Sequence, residues 1–244
     1  AQTSQGVEVG LPAEVTLTAT GFLSGWSGMT DLTADCRQLE PAERPLPAPG
    51  TGPQPPEYVC PSSDPVRGHA YGLELLVRRS LSQRLAFWLS YTLSRSQREM
   101  HFITPEGGDA VATVASEFDR THVLNAIFAY DLGRRWRAGS RFVFYTGTPR
   151  SNLSGSVPVP PYHAFRDPPF FRVDVRLEKR WPIGQHGSIA FVVEGQNVTL
   201  ARETSGLGLE CAGQPTPTTE TTECKRSTIG PITIPSIGIE AFYF

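Results

Sequence analysis

FFRVDVRLEKRW, Phe170 to Trp181, alternates in chemistry along its length. Arg172, Asp174, Arg176, Glu178 and Arg180 carry charge. Between them stand Phe171, Val173, Val175, Leu177 and Trp181, and only Lys179 breaks the apolar set. On an extended chain successive side chains point to opposite sides, so these are two faces of one strand. A soluble sheet buries the apolar face and wets the charged one. A membrane barrel turns the apolar face to lipid and the charges to an enclosed lumen. Both readings fit the stretch alone, and the surrounding chain has to choose.

The chain has 244 residues, formal net charge −2 and a pI near 6.2. That balance gives no basic footprint for nucleic acid. No apolar run approaches the roughly 20 residues of a transmembrane helix. A barrel stays possible, because its strands need only about 9–11 residues and half of them are polar. Gly, Pro, Ser and Thr are plentiful, and no segment keeps a helical period, which favours an all-β chain with large loops. The start, AQTSQGVEVG, has neither a basic nor an apolar leader region.

Turn signals divide the chain into about nine strand candidates. They run over Ser4–Gly10, Glu14–Trp26, Ala70–Leu81, Arg84–Arg98, Phe118–Leu132, Trp136–Gly147, Phe170–Trp181, Ser188–Leu200 and Ile232–Phe244. Short connections at Pro12-Ala13, Ser82-Gln83, Gly133–Arg135 and Pro182–Gly187 alternate with long ones at Ser27–His69, Glu99–Glu117, Thr148–Pro169 and Ala201–Pro231. A soluble sandwich has no reason to keep every long link at one end. An outer-membrane barrel does, with short periplasmic turns and long extracellular loops.

The long links read as loops. EPAERPLPAPGTGPQPP (Glu40–Pro56) and GQPTPTTETTE (Gly213–Glu223) are rich in Pro or Thr. Cys36 and Cys60 fall in the first link, and Cys211 and Cys224 in the last. None forms a CxxC pair, so a metal or thioredoxin-like reading is weak. Two local disulfides, Cys36–Cys60 and Cys211–Cys224, in an oxidising compartment are the expectation; four free thiols are the alternative.

The other strands repeat the two-faced pattern. Leu85, Phe87, Leu89, Tyr91 and Leu93 oppose Ala86, Trp88, Ser90, Thr92 and Ser94. Tyr71, Leu73, Leu75 and Val77 oppose Glu74 and Arg78; Phe142 and Phe144 oppose Arg141; Phe191 and Val193 oppose Glu194. Leu76 and Trp88 fall on the polar side and Ser140 on the apolar side. In 118–132, Leu124, Ala126, Phe128 and Tyr130 form the better apolar face. Trp136, Trp181, Tyr130 and Tyr243 gather near the short turns, where an aromatic girdle belongs. The expected lumen-facing charges are Glu74, Arg78, Arg141, Arg172, Asp174, Arg176, Glu178 and Glu194.

Longer segments carry a more specific likeness. They are GHAYGLELLVRRSLSQRLAFWLSYTLSRS, FDRTHVLNAIFAYDLGRRWRAGSRFVFYTGTPRS, PPFFRVDVRLEKRW and FVVEGQNVTL. Their order resembles the C-terminal half of the barrel of TonB-dependent outer-membrane receptors. The matching residues are Gly72 and Glu74; Trp88, Ser90, Tyr91 and Thr92; Phe118, Asp119, Arg120, His122 and Asn125; Gly147 and Pro149; Asp174 and Arg176; and Asn197. A last strand ending in Phe244 resembles the assembly signal read by the barrel-assembly machinery. One departure is Glu240, which stands where such final strands usually carry an apolar residue.

The resemblance implies an antiparallel transmembrane β-barrel of roughly 22 strands with a plugged lumen, of which residues 1–244 would supply about nine strands of wall. The plug and the first half of the barrel are expected outside these residues. It implies a bacterial outer-membrane protein surrounded by lipid. Its loops would catch a scarce iron chelate, cobalamin-like cofactor or glycan, and an inner-membrane complex would deliver energy through the plug. No catalytic residue, cofactor or metal ligand is expected in the wall.

Two other classes stand beside it. An eight-stranded structural or adhesin barrel would lack transport. An outer-membrane hydrolase would need a triad from His101, Ser116 and Asp119 or Glu117, and the chain has no G-x-S-x-G elbow.

Overall fold

The computed structural model describes residues 1–30, 37–38, 58–59, 64–80, 84–103, 108–154, 157–159, 161–211 and 224–243. They are all-β and antiparallel, with no helix among them. One large sheet holds ten strands: β1 (Gln2–Leu11), β2 (Val15–Met29), β3 (Val66–Arg79), β4 (Leu85–Ile103), β5 (Asp109–Ala115), β6 (His122–Gly133), β7 (Trp136–Tyr145), β8 (Phe170–Ile183), β9 (Gly187–Gln196) and β10 (Ile234–Tyr243). Nine follow one another as a meander, β1-β2-β3-β4-β6-β7-β8-β9-β10, and β5 pairs with the far half of β4. Among the described residues β1 and β10 each have one strand neighbour, so the sheet is open at both sides.

A meander puts alternate connections at opposite ends. The short turns therefore share one end. Two of them take unusual residues. Arg134 and Arg135 both have positive φ, 51° and 65°, between the paired Gly133 and Trp136. Positive φ at both central residues fits the right-handed twist of a two-residue hairpin, although Asn-Gly is the ordinary choice. Here Lys179 Nζ donates to Arg134 O at 2.7 Å and Arg180 N to Arg135 O at 3.0 Å, holding the turn from the neighbouring strand. Ala13 and Glu14 adopt the same region at the β1–β2 turn.

The link expected at 99–117 is mostly ladder. β4 runs on to Ile103, and β5 returns along it from Asp109 to Ala115. The β4 ladder then changes register. Three residues of β4 between the Gln97↔Ala115 and Leu93↔His122 pairs face six of the returning chain. This jog, 116–121, is a wide bulge. The link expected at 201–231 contains a two-stranded ribbon, Glu203–Cys211 with Cys224–Ile229. The 148–169 link contains two more, Pro149–Arg150 with Phe165–Arg166 and Asn152–Ser154 with Val157–Val159.

Register fixes the two faces across the sheet, because directly opposed residues share a side. One row runs Leu11, Val15, Arg79, Phe87, Phe128, Ser140 and Val175. The next face-sharing row runs Val9, Leu17, Val77, Leu89, Ala126, Phe142 and Val173. The opposite face carries Arg78, Trp88, Ile127, Arg141 and Asp174 in one row. The expected assignments of Leu76 and Trp88 to the polar face and Ser140 to the apolar face agree with this register.

The apolar face is uncovered. Phe171 is 50% exposed, Val175 42%, Leu177 39% and Ile239 75%. Trp136, Trp181, Tyr130 and Tyr243 are exposed on the same face near the short turns. The buried apolar residues are few: Val66, Met100, Val114, Ala115, Ala126, Ala190 and Val192. By contrast Glu178, in the middle of the charged row, is 6% exposed. For a sheet in water this is the wrong way round.

Candidate functional site

The charged face is a connected network. Strand β8 supplies Arg172, Asp174, Arg176, Glu178 and Arg180 on one side because every second residue points there. Register sets each against its partners: Arg176 stands opposite Gly139 and Glu194, and Glu178 opposite Arg137 and Val192. The Arg176 guanidinium donates to four carboxylate oxygens. It bonds Glu194, meets Glu178 Oε2 at 3.1 Å, and meets Glu240 Oε1 and Oε2 at 2.9 and 2.8 Å. Glu178 also takes Arg180 at 2.9 Å and faces Arg137 at 3.8 Å. Arg172 pairs with Asp174 at 3.1 Å, and Arg78 with Glu8 at 3.6 Å.

All eight expected lumen-facing residues share this face, but they do not form one cluster. Arg172, Asp174, Arg176, Glu178 and Glu194 are in ion pairs around β8. Arg78 pairs on the β1 side. Glu74 lies opposite Thr20 and Thr92, and Arg141 opposite Ile127 and Asp174; neither makes an ion pair among the described residues. The alternation already puts Arg137 and Arg180 on the charged face, although neither is among the eight expected residues; Glu8 is the member with no signal in the sequence. For Glu240 the sequence leaves two phases open, and the one that strand parity gives is the one found. Ile237, Ile239, Ala241 and Tyr243 share the other face, so Glu240 falls opposite Ala190 with the charges. Phe244 lies outside the described residues.

A second network fills the jog. Asp119 is 1% exposed. Its Oδ1 accepts from Ser96 N, a backbone donor that the register slip leaves without its ladder partner. Its Oδ2 takes the Arg166 guanidinium and lies 3.7 Å from Arg95 Nη1. Arg166 Nη1 also donates to Asp119 O and Gly147 O, both at 3.0 Å. His163 Nδ1 lies 2.6 Å from Ala115 O, and Phe102 packs on Tyr162 at 5.4 Å between ring centres. The 147–167 segment is thereby fastened to the β4–β5 ladder. Phe118, between these anchored groups, is 84% exposed.

A third tie is made by Asn197, buried and at φ +54°. Its backbone N donates to Asp174 Oδ1 at 2.8 Å. Its side chain bonds Ala201 O at 2.9 Å, Ala201 N at 3.0 Å and Ile232 O at 3.1 Å. One amide thus holds both ends of the 201–231 link against β8. Asn tolerates the left-handed backbone better than other non-glycine residues. Beside it, Tyr145 OH donates to Glu203, and Arg120 stacks 3.7 Å over the Tyr145 ring.

The hydrolase triad is not assembled. Asp119 is committed to Arg166 and Ser96, while Ser116 N bonds Ser96 O. His101 lies five ladder positions beyond Ser96 on β4 and faces Asp109 at 3.8 Å. Five positions are about 17 Å of strand. Among the described residues no group of three or more His, Cys, Asp or Glu is arranged to hold a metal ion. Cys211 stands directly opposite Cys224 in the ribbon. Arg37 pairs with Val59, and the adjoining Cys36 and Cys60 lie outside the described residues.

No protein-family model, curated protein or solved structure matches the chain.

Proposed function

We propose that this chain is a wall segment of a bacterial outer-membrane β-barrel, of the TonB-dependent receptor kind. The observation that carries the reading is the inversion of the sheet. Its apolar face is exposed across β8, β9 and β10, and its charges are paired and partly buried on the other side. Lipid is the solvent that makes such an arrangement stable. The aromatic residues at the short-turn end and the long links at the other end support the same orientation. The open sides of β1 and β10 would be closed by further strands or by each other, since bare backbone is not tolerated in hydrocarbon. Opposed Cys211 and Cys224 fit a disulfide in an exposed loop.

In this reading the wall does no chemistry. Its paired charges line the lumen, and the fastened links at the far end form the surface that meets a scarce ligand. Glu74 and Arg141, which make no ion pair among the described residues, are the wall's contacts for whatever fills the lumen.

Uptake measurements on cells that make the full-length protein test the transport part. A ferric chelate, cobalamin and an oligosaccharide would serve as labelled probes. One of them should bind at the cell surface and accumulate only while the inner-membrane energy complex is intact. Accumulation that ignores that complex, or surface adhesion with no probe bound, would favour the structural or adhesin barrel.

A further inference from the structure

The exposed apolar face carries a marked concavity. A groove of about 820 Å³ crosses β1 to β4 at the long-link end. Two register rows build it. One runs Thr3, Leu23, Tyr71 and Arg95; the other runs Gln5, Gly21, Leu73 and Leu93. Gly21 forms the floor, and a Cβ placed there would meet nothing within 4 Å. Leu23, Tyr71, Leu73 and Leu93 are exposed around it.

Among the described residues that line it, charge is present only at one end. Arg95 closes the upper row, and its side chain is 41% exposed. Its contact to Asp119 is long, 3.7 Å, because Asp119 is already satisfied by Arg166 and Ser96. Arg95 makes no other ion pair among the described residues, which leaves guanidinium donors for an anion. Below Arg95 the same face of β4 carries Leu93, Tyr91, Leu89 and Phe87, about 20 Å of apolar strand at about 3.4 Å per residue. A cation above an apolar trough is complementary to a molecule with an anionic head and a hydrocarbon tail. A planar guanidinium suits a phosphate head in particular, since it offers paired donors.

We propose that this groove binds one phosphorylated anionic lipid, its phosphate on Arg95 and an acyl chain over Gly21 between Leu23, Leu73 and Leu93. The inference rests on the reading of this face as lipid-facing. It adds a specific headgroup site where that reading requires only bulk lipid.

The test uses the full-length protein in non-ionic detergent and, as probes, diphosphoryl lipid A, phosphatidylcholine and inorganic phosphate, with retention followed by native mass spectrometry. Diphosphoryl lipid A should be held at least about tenfold more tightly than phosphatidylcholine, the size of one charge-assisted contact. Gly21→Leu adds bulk at the floor, where a Cβ meets nothing within 4 Å, and Arg95→Gln removes the cation while Asp119 keeps Arg166. Each should weaken lipid A binding by about tenfold and leave the protein inserted in vesicles. Equal retention of the two lipids, unchanged binding by Gly21→Leu, or displacement of lipid A by inorganic phosphate would overturn the site while leaving the membrane reading intact. A protein that stays outside micelles and vesicles would instead overturn the membrane reading, and the site with it.

Discussion

Asp119→Ala should destabilise the protein by about 3 kcal/mol, the low end of the range for breaking a buried ion pair. The carboxylate is fully buried, whereas Arg166 is 28% exposed and water screens part of its charge. Two groups are orphaned together by the change. Ser96 N loses the acceptor that replaces its missing ladder partner, and Arg166 keeps only the carbonyls of Asp119 and Gly147. Asp119→Asn should cost less, because an amide oxygen can still accept from Ser96 N. Arg166→Met added to Asp119→Ala should cost less than the two single losses together, since the pair acts as a unit. Denaturant unfolding in detergent measures all four. A loss below about 1 kcal/mol for Asp119→Ala would mean that the jog is held by its backbone bonds alone.

Val175→Arg is the second large effect, and its size depends on the solvent. Val175 is 42% exposed on the apolar face, opposite Ser140 and Gly195. In water a substitution at such a position is usually worth no more than about 0.5 kcal/mol. Near the middle of a bilayer, arginine on the outer face of a barrel costs about 2–4 kcal/mol. The proposed reading expects the larger figure for protein refolded into vesicles. Trp181→Arg, close to the short-turn end of the same strand, should cost at most about 1 kcal/mol because the penalty fades toward the interface. Equal, small effects at both positions would remove the reason for turning this face to lipid.

Much of the sheet is legible in the sequence because strand parity needs no tertiary information. The alternation in 170–181, 84–98 and 136–147 gives the faces, and Pro, Gly and Asn clusters give most of the turns. What escaped depends on partners distant in sequence. Nothing local to FDRTH marks Asp119 as a replacement for a ladder acceptor, because Ser96 and Arg166 lie 23 and 47 residues away. The β4–β5 hairpin lies inside the stretch expected as the link Glu99–Glu117. At the Arg134-Arg135 turn Gly133 marks the bend, but neither arginine announces its own positive φ; Lys179 and Arg180, on another strand, hold them. For Glu240 two phases stay open in the sequence: the usual pattern of a final strand puts it on the apolar face, and its neighbours Ile237, Ile239, Ala241 and Tyr243 put it on the charged one, where the register has it. The ion-pair network follows from register, which the alternation leaves open by whole steps of two.

The inside-out orientation of Phe170–Trp181 is open to direct measurement. Single cysteines with nitroxide labels would be placed in turn from Phe171→Cys to Glu178→Cys in full-length protein reconstituted in lipid vesicles. Oxygen, which concentrates in hydrocarbon, and a water-soluble nickel chelate would serve as the two relaxing agents. Labels at 171, 173, 175 and 177 should respond to oxygen, and those at 172, 174, 176 and 178 should respond less to oxygen and more to the chelate, with a period of two. Uniform access of the chelate to the apolar four, or their shielding from both agents in a closed protein core, would contradict the inverted sheet.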